Sequence, residues 1–167
     1  MMLTHIGRLL TVGTAVMLVA GVAAAQGAKH QPAQIPEPVK QAIQANKPGA
    51  EIDKLEVEKE SGITLYDIEF KDGKGEIEVA ADGTVMDVTD IVDAKDVPEP
   101  AAAAIKTAAK GQAVKQFERS EVRAEIVKDG GKGRVSKLST PKYVYEAELT
   151  KGEVEVTPDG KVIKVGK

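Results

Sequence analysis

The chain has 167 residues, with 23 Lys and Arg against 26 Asp and Glu, a net charge of −3, two histidines and no cysteine. That balance shows no basic face and argues against nucleic acid as a partner. Without cysteine there is no thiol chemistry and no disulfide framework, and with so little histidine neither a His-based catalytic triad nor a zinc site with several His or Cys ligands can be assembled.

The chain opens on a processing signal. Arg8 is the only charge in residues 1–25, the apolar run Leu9 to Val22 follows it, and Ala23-Ala24-Ala25 offers small residues for cleavage before Gln26. This layout predicts a secretory signal peptide. The run is about 14 residues, short of the ~20 needed to span a bilayer, so no stable membrane span is expected after cleavage. No cysteine follows it, which excludes lipid attachment at a mature N-terminal cysteine. Only Arg8 among the basic residues lies in this segment, leaving 22 basic against 26 acidic side chains and a periplasmic or secreted protein. Residues 26–34, which hold His30, read as a flexible leader rich in Gln, Lys, Pro and Ala.

A helix is predicted next. Pro36 and Pro38 suit a first turn, where a missing N–H costs nothing, and Glu37 lies where the helix dipole favours negative charge. Val39, Ala42 and Ile43 share one face, and Pro48-Gly49 ends the helix. The period then switches to two. Ile52 to Lys59 is an opening strand, and Tyr66, Ile68 and Phe70 alternate with Asp67 and Glu69. After the turn Lys71–Gly75, Ile77 and Val79 alternate with Glu76 and Glu78. After Ala81-Asp82-Gly83 comes a closing strand, Val85 to Val88. This first unit, residues 35–89, is thus a helix followed by four antiparallel strands.

A short acidic seam, residues 90–96, leads to a second unit, 97–167, that repeats the first. Val97-Pro98-Glu99-Pro100 repeats Ile35-Pro36-Glu37-Pro38, and Gly111 repeats Gly49. Ala101, Ala104, Ile105 and Ala108 form the helix face. Tyr145-Glu146-Ala147-Glu148-Leu149 answers Tyr66 to Phe70, Gly152-Glu153-Val154-Glu155-Val156 answers Gly75 to Val79, and Asp159-Gly160 answers Asp82-Gly83. One stretch departs. Val122, Ala124 and Ile126 fall on the opposite parity to Phe117, which calls for a bulge or a continued helix. An insertion at 128–142 also replaces the short turn around Ser61-Gly62. The five aromatics, Tyr66, Phe70, Phe117, Tyr143 and Tyr145, are a thin supply for two separate cores. Units of ~60 residues are marginal alone, so the two are expected to share one extended sheet or a closely packed seam.

The order helix, Tyr-x-Ile-x-Phe, Gly turn, Glu-Ile-Glu-Val, Asp-Gly and closing strand resembles the PepSY superfamily, specifically the PepSY-like domains grouped with the β-lactamase-inhibitor protein. The resemblance implies an α+β fold of two tandem α-β-β-β-β units, with an antiparallel sheet and helices packed on one face. It also implies an exported, non-catalytic protein of a family that binds or restrains cell-envelope enzymes. No inhibitory contact residue is carried over.

Strand alternation puts one set of side chains opposite the helices: Glu56, Glu58, Asp67, Glu69, Glu76, Glu78, Glu146, Glu148, Glu153 and Glu155. This acidic face reads as a solvated surface or as a docking surface for a basic protein partner. Weak cation binding is a third reading, as in a periplasmic cation or small-ligand sensor or buffer, although nothing has calcium-loop spacing. Rows of strand carboxylates offer no cleft for paired-acid catalysis, so neither an enzyme nor a cofactor is expected. The insertion is a second candidate. It carries Lys128, Lys132, Arg134 and Lys137 among glycines, lacks the phosphate-loop pattern, and reads as a mobile hairpin or a binding loop.

Overall fold

The computed structural model describes residues 35–166; the expected signal peptide and leader lie outside them. Helix α1 (Glu37–Asn46) precedes strands β1 (Ile52–Glu60), β2 (Ile63–Phe70), β3 (Glu76–Ala80) and β4 (Val85–Val92). A 3-10 turn, Ala94–Asp96, leads into α2 (Glu99–Ala108), β5 (Val114–Asp129), β6 (Lys132–Leu149), β7 (Glu153–Val156) and β8 (Val162–Val165). All eight strands form one sheet in chain order, β1 to β8, each antiparallel to the next. The fold is α+β.

Both helices start where the prolines dictate. Pro36 and Pro98 are the capping residues, with Pro38 and Pro100 inside the first turn. Each helix lies against one face of the sheet. Val39, Ala42 and Ile43 of α1 pack on Leu55, Ile68, Phe70, Ile77, Val79 and Val88. Ala101 and Ile105 of α2 pack on Tyr145, Ala147, Leu149, Val154 and Val156.

Several registers within β1–β4 recur within β5–β8, although β5 and β6 are much the longer strands. Ile52 pairs with Phe70 and Val114 with Leu149, and each pair is followed by a bulge. Val79 pairs with Val85 and Val156 with Val162, again beside a bulge. Tyr66 opposes Val79 as Tyr145 opposes Val156. The Ala80 and Thr157 amides donate to the Thr84 and Lys161 carbonyls at 2.8 and 2.9 Å. Gly83 and Gly160 both have φ near +86° to +87° and lie against Pro38 and Pro100, where an added Cβ would come within 2.9 and 2.6 Å of the proline carbonyl oxygen.

Three expectations are corrected. The acidic seam does not begin at Asp90, because Asp90 to Val92 belong to β4 and pair with Arg119, Glu118 and Phe117 of β5. The stretch from Val122 to Ile126 is a bulged strand, as expected, and not a continued helix, but its bulge, between Val122 and Ala124, leaves Ala124 and Ile126 off the helix side. And 128–142 is a hairpin, one of its two expected readings, and not a loop: Lys132 to Lys142 lie in β6, and only Gly130-Gly131 turn the chain.

The reason is packing on the other face. Ala124 and Ile126 of β5, with Val135 of β6, meet Ile63, Leu65, Ala80 and Met86 in a third apolar cluster. Leu65 and Ala80 share strand parity with the acidic residues, not with the α1 core. The β5–β6 hairpin bends where Arg123 opposes the four residues Leu138 to Pro141. Its far half then lies across the helix-free face as an arm, and its tip touches the β1–β2 turn, where the Gly133 amide donates to the Ser61 carbonyl at 2.8 Å.

Candidate functional site

The predicted carboxylates gather on the helix-free face in cross-strand rows. Glu56, Asp67, Glu78 and Asp87 stand side by side on β1 to β4. Glu69 and Glu76 form the next row, with Lys54 beside them on β1 and Thr89 on β4. Glu118, Glu146 and Glu155 line up on β5 to β7 and end at Lys164 of β8. Glu148 and Glu153 complete a shorter row with Gln116.

Alternation placed these residues on one face, but exposure does not follow from it. Glu56, Glu58 and Glu69 are exposed; Asp67, Glu78, Glu146 and Glu148 are half-buried. Glu76 and Glu155 retain only 7 % and 6 % of their accessible surface, and the Glu153 side chain is also largely covered. The expectation of a uniformly solvent-facing set is therefore corrected at Glu76, Glu153 and Glu155. Glu153 and Glu155 are covered from the edge strand by Lys164, which contacts both. Asp87, opposite Val122 at the root of the arm, is buried too.

Two lysines hold these rows from the sheet edges. Lys164 contacts Glu153 at 2.6 Å and Glu155 at 3.6 Å. Burial opposes its charge, but the Glu153 hydrogen bond and the fields of Glu153, Glu155 and Glu146 outweigh that and hold its pKa above the usual lysine value. Lys54 bonds Glu56 at 2.9 Å, and that bond, against a smaller cost of burial, with the fields of Glu56, Glu69 and Asp67, likewise raises its pKa.

Near one end of the face, Asp53, Glu69, Asp72, Glu76 and Glu118 border a hollow of about 240 Å³ whose apolar wall includes Ile91. Among the described residues, no grouping of three or more His, Cys, Asp or Glu is arranged to hold a metal ion. Of the predicted basic residues, Lys128, Lys132 and Arg134 are exposed on the arm. Lys137 lines a second hollow of about 360 Å³ with Arg123, Leu138 and Pro141. The basic set therefore shares strands β5 and β6 with Glu118, Glu146 and Glu148, but lies in the far half of the hairpin, beyond the bend.

Sequence reasoning missed a polar clamp on the helix side of the sheet. Lys47, just past α1, donates to the Lys74 carbonyl at 2.8 Å and to Asp90 at 2.6 Å. Arg119 approaches the other Asp90 oxygen at 3.3 Å and lies over the Tyr143 ring. Arg123 donates to Asn46 at the end of α1. The clamp ties α1, β4 and β5 together. The opposed charges of Asp90 and Arg119 were visible in sequence, but their register was not.

No protein-family model matches the chain, and no curated protein does. Solved structures do match. A DUF2874 family protein from Bacteroides uniformis is 12% identical, with a TM-score of 0.48 over 78% of this chain and 87% of that one. A Bacteroides eggerthii protein described as periplasmic is 13% identical, with a TM-score of 0.47 over 78% and 86%. A BLIP-like protein from Bacteroides fragilis is 11% identical, with a TM-score of 0.44 over 78% and 84%. Several of the matching structures are described as periplasmic proteins. Among the described residues, no helix is long and apolar enough to cross a membrane.

Proposed function

We propose that this chain is an exported, non-catalytic binding module of PepSY-like type. In this reading it consists of two tandem α-β-β-β-β units and docks a basic protein segment on the helix-free face of its sheet, as an inhibitor-like protein acting on a cell-envelope or secreted enzyme would. The matched bulges, registers and proline–glycine contacts of the two halves support the doubling. The N-terminal segment supports a periplasmic or secreted location.

The observation that carries the docking reading is the acid row that runs from β1 to β4, Glu56, Asp67, Glu78 and Asp87, beside the exposed Glu58 and Glu69 and with a hollow at one end. Like charges directly opposite on neighbouring strands destabilise a sheet. The exposed carboxylates Glu56, Glu58 and Glu69 form a surface whose potential favours a cationic segment. An extended Lys- or Arg-bearing segment could run along the exposed Glu56, Glu58 and Glu69 and place one side chain in the hollow.

The test is titration of the protein with a synthetic lysine-rich extended peptide and with its glutamate counterpart. The lysine peptide should bind, weaken with added salt, and lose at least about tenfold in affinity, or ~1.4 kcal/mol, in the fourfold variant E56K/E58K/E69K/E148K. Equal binding of both peptides, or an unchanged affinity in that variant, would remove the acid face from the account.

A further inference from the structure

The two outer strands of the sheet, β1 and β8, differ in how they are finished. β1 carries Lys54, Glu56, Glu58, Lys59 and Glu60 along an otherwise open edge, a charged edge of the kind that discourages indiscriminate pairing. β8 is short and apolar, and Val162, Ile163 and Val165 are 42 %, 44 % and 55 % exposed. Such a strand is a template for further pairing.

The molecule contains its own example of what pairs there. By register and bulge, β8 occupies in the second half the place that β4 occupies in the first, and β5 occupies the place of β1. Inside the chain, β4 pairs with β5. Val88 of β4 is then 7 % exposed, whereas its counterpart Val165, with no ninth strand beside it among the described residues, is 55 % exposed.

We infer that β8 of one molecule accepts β1 of a second copy, in the register of the internal β4–β5 junction. Carrying over the pairs Asp87 with Val122, Val88 with Glu121 and Thr89 with Ser120 sets Lys164 opposite Glu60, Val165 opposite Lys59 and Gly166 opposite Glu58. Charge agrees with this partner: residues 161–166 hold Lys161 and Lys164 and no acid, whereas the far half of β1 is rich in glutamate. Two β8 strands pairing with each other would instead bring lysines together.

The contact is heterologous, so copies add head to tail rather than closing as a two-fold dimer. It is also short, so the association is weak and concentration-dependent.

Sedimentation velocity from micromolar to millimolar protein tests it, with two complementary edge variants. I163D/V165D spoils β8 and leaves β1 intact; E58K/E60K does the reverse. All four substitutions fall at exposed or half-exposed positions, and unchanged circular dichroism and melting would verify folding. The wild type should form a series of oligomers that salt suppresses, each variant alone should be monomeric, and their equimolar mixture should form a 1:1 dimer and nothing larger. A wild type that stays monomeric throughout, a variant that still self-associates, or a mixture that remains monomeric would each overturn the proposal. Binding of the lysine peptide to the sheet face is measured separately, so either idea can fail without the other.

Discussion

At the scale of single residues, the most informative charge is Asp90. Burial works against its carboxylate, yet the Lys47 bond and then Arg119 hold its pKa below the usual aspartate value. A carboxylate depressed in the folded state adds stability above its unfolded pKa and loses it as pH falls through the folded one. The clamp should therefore be fully present above pH ~4 and fade in more acidic solution. Asp90→Asn leaves the Lys47 ammonium, whose side chain is 10 % exposed, without its charged partner. Unfolding in urea should show a loss of about 1 kcal/mol at neutral pH, since the half-exposed Asp90 is screened by solvent, narrowing as acid removes the wild-type advantage. A constant difference at all pH values would mean the clamp does not titrate. The glycines against the helix starts make a matched pair. Each has a positive φ and no room for a methyl group, so Gly83→Ala and Gly160→Ala should each cost upwards of about 1 kcal/mol. Similar losses at the two sites, read from melting curves, would support the proposed doubling; a neutral effect at one site would count against it.

At the scale of elements, the arm is what the sequence half disclosed. The parity break at Val122, Ala124 and Ile126 was legible, and so was the insertion after it. Their joint meaning was not. An apolar stripe on the wrong side of a strand is ambiguous until a surface is found to receive it, and Leu65, Ala80 and Met86 sit inside stretches whose alternation already read as satisfied. The helices and the other strands were legible because proline placement and period-two patterning are local signals. The acid face was legible as a side of the sheet, but not as a pattern of burial, since cover comes from neighbours brought in by register. Docking of the arm is testable at Gly133. An added Cβ there would lie 2.7 Å from Ser61 Cβ and 2.8 Å from its carbonyl oxygen. Gly133→Ala should lift the tip, so that hydrogen exchange accelerates at Gly133 and in the far half of the arm while β7 keeps its protection. Unaltered exchange would show that the tip contact contributes little.

For the whole molecule, the decisive feature is the β4–β5 junction. Each strand pairs with the next in sequence, so every pairing except this one can form within one half. The junction is also where the polar links concentrate: the clamp, the 2.7 Å contact between the Thr89 and Ser120 hydroxyls, and the arm that covers Leu65, Ala80 and Met86 from the other half. Residues 35–92 alone would keep α1 and its core but expose the edge of β4 and the third cluster, in a piece of marginal size. The full chain should therefore unfold in one transition, with matching midpoints by circular dichroism and by tyrosine fluorescence. The fragment 35–92 should show weakened sheet signal and a broad melt, and so should 97–167, whose arm has lost its seat. Mixing the two fragments should restore a sharp transition, because everything needed to rebuild the junction is present in trans. Two fragments that each melt sharply at the temperature of the intact chain would make the halves independent bodies, and would reduce the junction to a point of contact rather than the hinge of the fold's stability.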